Sequence, residues 1–183
     1  MMPYVIAIVV IAILIVVWVI SSQRKFVSTD EMCGNALSQI GVQQASRWDA
    51  LSALAQLTKG FSEHEYKTLM DTVAARRPIT ASSTAAEVKE QENMITQAMS
   101  HIMAVAESYP DIKAQSVYQK TMASVDEYEG NVRRSRMVYN DTVTKFNRLV
   151  RQLPTSLIAG ILGFKVRDYL EEDEQKADMP SMS

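Results

Sequence analysis

The chain has one cysteine, two histidines, five prolines and six glycines in 183 residues, and its formal net charge is only −2. Each shortage removes a class of protein. A lone thiol, Cys33, makes no internal disulfide, and two histidines beside it do not complete a cysteine-histidine zinc cluster. So few prolines and glycines exclude collagen, linker and low-complexity chains. A nearly balanced charge offers no bulk attraction to nucleic acid, so no nucleic-acid partner is expected. No stretch alternates apolar and polar residues long enough to suggest a sheet. Neither a phosphate-binding glycine loop, a dinucleotide fingerprint nor a serine elbow is present. Glu63-His64-Glu65 joins an imidazole to carboxylates, but a helical zinc site needs a second histidine four residues on, where Thr68 stands. A di-iron bundle needs a glutamate three residues before each histidine, where Phe61 and Ala98 stand. No metal, cofactor or catalytic residue is therefore expected, and the protein reads as a non-enzyme.

What the chain does have is unevenly spread. Tyr4 to Ile20 are seventeen consecutive apolar residues, and every charged side chain follows them. At ~1.5 Å per residue the run covers about 26 Å, close to a hydrocarbon core of ~30 Å. A cleaved signal peptide would carry a basic lead and a shorter apolar stretch, and this run has no Lys or Arg before it. Residues 1–25 are thus expected to be a retained transmembrane anchor contacting lipid through Tyr4 to Ile20. Arg24 and Lys25 follow at once, and this bias predicts a single-pass protein with its N-terminus outside and its C-terminal body in the cytoplasm.

In the body, Ser28-Thr29-Asp30-Glu31 reads as a cap opening a new helix near residue 29 that extends to about Arg76, with Gly41 and Gly60 weakening it locally. Its apolar positions, Leu37, Ile40, Trp48, Leu51, Leu54, Phe61, Leu69 and Val73, recur at helical steps, and Pro78 ends it. Thr84-Ala85-Ala86-Glu87 is a capping box for a second helix, which carries Val88, Gln91, Ile95, Ala98, Ile102, Val105 and Tyr109 and stops at Pro110. A third, Ser116 to Gln152, has a coiled-coil-like seam: Tyr118, Met122, Val125, Glu129, Val132, Arg136, Tyr139, Val143, Phe146, Val150 and Leu153. The fold class predicted is all-α, a transmembrane helix followed by an elongated antiparallel bundle of three long helices and a short C-terminal helix. The bundle spans 26–170, and 171–183 is expected to be an acidic, disordered tail.

The order of these features resembles the LemA family of bacterial membrane-anchored helical proteins. The blocks that carry the resemblance are Val105 to Gln115 (VAESYPDIKAQ), Arg136 to Asp141 with Asn147, Leu153-Pro154 and Gly163-Phe164. Thr58-Lys59-Gly60-Phe61 with His64-Glu65, then Ala75-Arg76, make a further block. The chain departs from the family pattern at Ala36-Leu37-Ser38 and over Ser46 to Ala53, while keeping Arg47 and Asp49. The resemblance implies a membrane-tethered helical fold without a settled enzymatic activity, and a genetic association with membrane proteases.

Candidate positions follow from the residues themselves. Glu129 and Arg136 are charged on an apolar seam, so each is predicted to find a partner on a neighbouring helix. Tyr109-Pro110-Asp111 and Tyr139-Asn140 have the donors of a ligand site, but the structural reading, residues fixing a helix junction, is preferred. The basic run Arg133, Arg134, Arg136, Lys145, Arg148 and Arg151 is a solvated face whose end suits the helix dipole. After Pro154, the stretch from Ser156 to Phe164 has only one polar residue, so Leu157, Ile158, Ile161, Leu162 and Phe164 are either a plug closing the bundle or an interaction patch. Counting helices away from the membrane puts this segment at the far end, which favours protein contact, most simply a homo-oligomer. The function expected is a membrane scaffold or interaction domain, self-associating and open to a membrane-protein partner. The alternative is a ligand-sensing or adaptor module regulating a membrane enzyme such as a protease.

Overall fold

A computed structural model describes residues 2–170; the tail expected over 171–183 lies outside the described residues. Six helices and no strand occur in that span: α1 (Met2–Thr58), α2 (Glu63–Ala74), α3 (Ala85–Ser108), α4 (Pro110–Ala114), α5 (Ser116–Arg151) and α6 (Thr155–Leu162). The chain is all-α, as its periodicity predicts.

The first departure is α1. Instead of ending after the apolar run and restarting near residue 29, it continues unbroken for 57 residues, about 85 Å at ~1.5 Å per residue. The Ser28-Thr29-Asp30-Glu31 stretch does not cap a new helix; it lies inside α1, and the Thr29 hydroxyl shows why. That hydroxyl donates back to the Lys25 carbonyl at 2.8 Å, which keeps Thr29 inside the existing helix. The helix then stops at Thr58, well before Pro78. Ser62 caps α2 by accepting from the Glu65 backbone N–H at 3.3 Å, so the segment expected as one helix to Arg76 is two.

Beyond α2 the chain runs back along α1 as a loop. An added Cβ on Gly41 would lie 2.2 Å from the Ile79 carbonyl oxygen, and one on Gly34 would lie 3.2 Å from Ala81 Cβ. Glycine at 41 is therefore what lets the loop lie on the helix. The Thr84 capping box then opens α3: its hydroxyl accepts from the Glu87 N–H at 3.2 Å, while a Glu87 oxygen accepts from the Thr84 N–H at 2.7 Å.

Two apolar clusters fill the body. Nearer the apolar run, Phe26, Cys33, Leu37 and Ile40 of α1 meet Val88 of α3, Tyr139, Val143 and Phe146 of α5, and Ile158 and Ala159 of α6. Farther out, Trp48, Leu51, Leu54 and Ala55 meet Leu69 and Val73 of α2, Ile95, Ala98, Ile102 and Val105 of α3, Ile112 of α4, and Tyr118 and Val125 of α5. Low-numbered residues of α3 lie in the near cluster and high-numbered ones in the far cluster, whereas α5 runs the other way. Thus α5 is antiparallel to α1 and returns the chain toward the apolar run, while α3 runs in the same sense as α1.

This direction overturns the expected position of the segment after Pro154. α6 sits at the near end, with Phe164 stacked on Phe26 at 5.0 Å between ring centroids and edge-on to Phe146 at 6.2 Å. Helix counting failed because α2 and the 75–84 loop had already made one return before α3 begins.

Candidate functional site

Between the two clusters the bundle interior is polar. Arg47 of α1, 6% exposed, donates to a Glu129 carboxylate oxygen of α5 at 3.3 Å. Arg136 of α5 donates to Glu92 of α3 at 3.1 Å. The two seam charges thus each meet a side chain from another helix, because residues seven apart on α5 lie ~10.5 Å apart along its axis and do not reach one another. Burial pushes the Arg47 guanidinium below its ordinary range, and Glu129 offsets part of that shift. Gln91 closes the layer on the loop side, its side-chain oxygen accepting from the Arg77 N–H at 2.9 Å. Gln44 and Trp48 stand apart in this layer: among the described residues neither amide atom of Gln44 nor the indole N–H of Trp48 has a hydrogen-bond partner, and both residues are buried.

A second polar arrangement holds the end of the chain. Residues 164–170 leave α6 in an extended path along α5, after Gly163 ends the helix with φ of 77°. Asn147 of α5 donates to the Arg167 carbonyl at 2.9 Å and accepts from the Arg167 N–H at 2.8 Å. One turn-pair away, Asn140 does the same to Leu170, at 2.8 Å and 2.9 Å. Each carboxamide stands in for a neighbouring strand, satisfying both backbone groups of one residue. The Tyr139 hydroxyl donates to the Asp168 carbonyl at 3.1 Å between them, and burial raises its pKa. The Arg167 side chain crosses to α1, where its Nε donates to Asp30 at 2.8 Å. That bond holds the guanidinium above its usual range.

The structure separates residues that sequence spacing grouped together. Tyr109, Pro110 and Asp111 form the α3–α4 corner at the far end: Tyr109 packs its ring 5.8 Å from Phe61, Pro110 opens α4 and Asp111 lies in its first turn. Tyr139 and Asn140 are in the near half, on α5, where they hold the 164–170 segment as a strap. The five apolar candidates also divide. Ile158 is buried and Phe164 packs against the near cluster, while Leu157, Ile161 and Leu162 are exposed, as is Leu153 beside them. The acid beside His64 turns the other way: Glu65 meets His101 of α3 at 2.5 Å. Among the described residues no group of three His, Cys, Asp or Glu is placed to hold a metal.

Sequence reasoning missed Arg47, Glu92, Gln44, Asp30 and Arg167 as polar participants. The signal available was Asn140 and Asn147, seven apart on one face of a helix, ahead of a short segment with no helical period.

The chain as a whole is similar to known proteins. A family profile described as LemA family matches residues 36–183, most of the chain. The chain belongs to the LemA family. Among curated relatives, this LemA-family chain is 33% identical over 75 residues to the magnetosome proteins MamQ 2 and MamQ 1 of Paramagnetospirillum magneticum. It is 28% identical over 75 residues to the magnetosome protein MamQ of Magnetospirillum gryphiswaldense. Each match covers 41% of this chain and 28% of the relative, so the alignment spans less than a third of those proteins. With one helix among the described residues long and apolar enough to cross a membrane, this LemA-family protein is a membrane-associated helical protein.

Proposed function

We propose that the protein is a non-enzymatic, single-pass membrane scaffold whose helical body presents an interaction surface at the cell envelope, to further copies of itself or to a membrane-protein partner. The observation that carries this reading is the continuity of α1, which joins the apolar run and the body in one rigid helix from Met2 to Thr58. A scaffold needs a fixed stand-off and orientation from the membrane, and an unbroken helix provides both. The charged side chains of the interior support it further, since Arg47 and Arg136 are engaged with acids of the neighbouring helices. Arg24 and Lys25 favour a body on the cytoplasmic side with the N-terminus outside.

Photocrosslinking from exposed positions on the body, such as Met103, Met137 and Val138, in the native membrane tests the reading. A scaffold yields discrete protein adducts, and an adduct of twice the chain mass identifies self-association. No discrete adduct from any of these positions overturns it. Protease added to intact cells tests the topology; digestion of a C-terminal tag there overturns the cytoplasmic body.

One observation favours ligand sensing instead. The buried Gln44 carboxamide has neither its donor nor its acceptor satisfied among the described residues, which suits a small polar guest entering the layer. A thermal-shift screen of metabolites against the full chain distinguishes the readings: a large, saturable stabilisation abolished by Gln44→Leu supports sensing.

A further inference from the structure

α6 is a helix with no charged residue, and its outward side has no cover among the described residues. Leu153, Leu157, Ile161 and Leu162 are 77%, 63%, 84% and 45% exposed, while Ile158 and Ala159 face the near cluster. What this side meets follows from where α6 is held. Phe164, directly after the helix, stacks on Phe26, and Phe26 lies only six residues beyond Ile20, about 9 Å along α1. Ser22, two residues past the apolar run, is already buried, and within the run Trp18 and Val19 are the least exposed large side chains at 37% and 38%. The body therefore begins at the edge of the hydrocarbon, with α6 beside that edge.

The charge around α6 fits the same neighbour. Arg24 and Lys25 of α1, Arg148 and Arg151 at the end of α5, and Lys165 after α6 are all exposed at this end. Cations ringing an apolar face are the pattern of a helix lying in an anionic headgroup layer, where apolar side chains reach ~5 to 10 Å into the boundary and basic groups meet lipid phosphate. The extended segment after Lys165 runs away from this end, since Arg167 is clasped by Asn147 and Leu170 by Asn140, about two turns farther along α5.

We propose that α6 is an interfacial helix: Leu153, Leu157, Ile161 and Leu162 enter the headgroup layer of the bilayer that α1 crosses, giving the body a second foothold beside the span. A helix axis and a second contact off that axis fix an orientation. A single helix leaves the body free to turn about its axis, whereas α1 and α6 together fix which face of the bundle looks along the membrane and which looks away. The inference rests on the reading of Tyr4 to Ile20 as a membrane span.

The test uses the full chain in nanodiscs of phosphatidylcholine and phosphatidylglycerol, spin-labelled through Ile161→Cys and probed by collision with oxygen and with a water-soluble nickel chelate. Val138→Cys serves as an exposed aqueous reference and Val10→Cys as a reference within the apolar run. Cys33 is fully buried and stays unlabelled. The expected result is nickel collision at 161 about tenfold below that at 138, corresponding to ~1.4 kcal/mol, with oxygen collision retained. Leu157→Asp with Leu162→Asp should return the label to the aqueous value while helicity is unchanged. Nickel collision at 161 equal to that at 138 overturns the inference. Loss of both collisions together with spin–spin broadening also overturns it, because the face is then covered by a second copy. Aqueous behaviour at 10 overturns the span itself, and with it the inference; aqueous behaviour at 161 with lipid behaviour at 10 removes the foothold alone.

Discussion

Asn147 and Arg167, twenty positions apart, exchange two hydrogen bonds between one side-chain amide and one backbone unit, at 2.9 Å and 2.8 Å. Asparagine is required for this because the same side chain must donate and accept. Asn147→Asp keeps the size and loses the donor, leaving the Arg167 carbonyl facing a carboxylate. We expect a loss of about 1–3 kcal/mol, the cost of unsatisfying a buried polar group, read from chemical denaturation of the full chain in detergent. Limited proteolysis should then cut near residues 165–170 before any helix is attacked. A stability equal to the parent's would mean that the strap is not held by this clasp.

Glycines 41 and 60 should respond to the same change with opposite signs. At Gly41 a methyl group would press within 2.2 Å of the Ile79 carbonyl oxygen, a backbone atom that moves only if the whole loop moves. Gly41→Ala should therefore displace the 77–83 segment and cost well over the ~1 kcal/mol of an average point substitution. At Gly60 nothing lies within 4 Å, and its φ is not in the left-handed region. Gly60→Ala should be neutral or stabilising by about 0.4–1 kcal/mol, through the entropy of the unfolded chain. Paired thermal melts of the two variants decide it.

The parts of this fold legible in sequence are those governed by a local rule. The Thr84–Glu87 box and the four-three rhythm from Val88 to Val105 depend only on residues within a turn or two, and α3 forms where they predict. Ser28-Thr29-Asp30-Glu31 reads as an equally good box, but a threonine hydroxyl can also bond back to the carbonyl four residues earlier, and Thr29 does so to Lys25. Which option wins depends on Phe26, Cys33 and Leu37 packing against α5 and α6, which sequence periodicity does not contain. The placement of Leu157, Ile161 and Leu162 failed for a related reason. It required knowing that an extended loop, admitted by a missing Cβ at Gly41, had already retraced α1. The strap was invisible because residues 165–170 have no period; their order comes from Asn140 and Asn147 on a helix that reads as complete without them.

The capping box carries a pH dependence of definite sign. The Thr84 backbone N–H and then its hydroxyl hold the Glu87 carboxyl below its ordinary range. A carboxylate whose folded pKa is depressed contributes stability in full above its unfolded pKa, and that contribution disappears as pH falls through the folded value. The start of α3 should accordingly fray in acid. Amide exchange at Val88, whose N–H bonds to the Thr84 carbonyl at 3.2 Å, should accelerate relative to the middle of α3 as pH is lowered, after correction for intrinsic exchange. Glu87→Gln should flatten the difference.

The Glu92–Arg136 pair spans α3 and α5 with both side chains less than a fifth exposed, at 14% and 19%. Removing one charge leaves the other in a poorly solvated position. Arg136→Leu should destabilise the protein by about 1–3 kcal/mol, somewhat below the ~3–5 kcal/mol typical when one member of a fully buried pair is lost, because water still reaches both groups. Glu92→Leu should cost a similar amount. The double variant is the decisive measurement, since it removes both charges of the pair at once and extends the apolar clusters toward one another. Its stability should recover to within about 1 kcal/mol of the parent or exceed it, the behaviour seen when buried ion pairs are replaced by packed apolar residues. Strictly additive losses would instead mean that each residue stabilises the bundle through separate contacts. Recovery of stability together with loss of the discrete crosslinked adducts would mean that the polar layer is retained for its partners rather than for the fold.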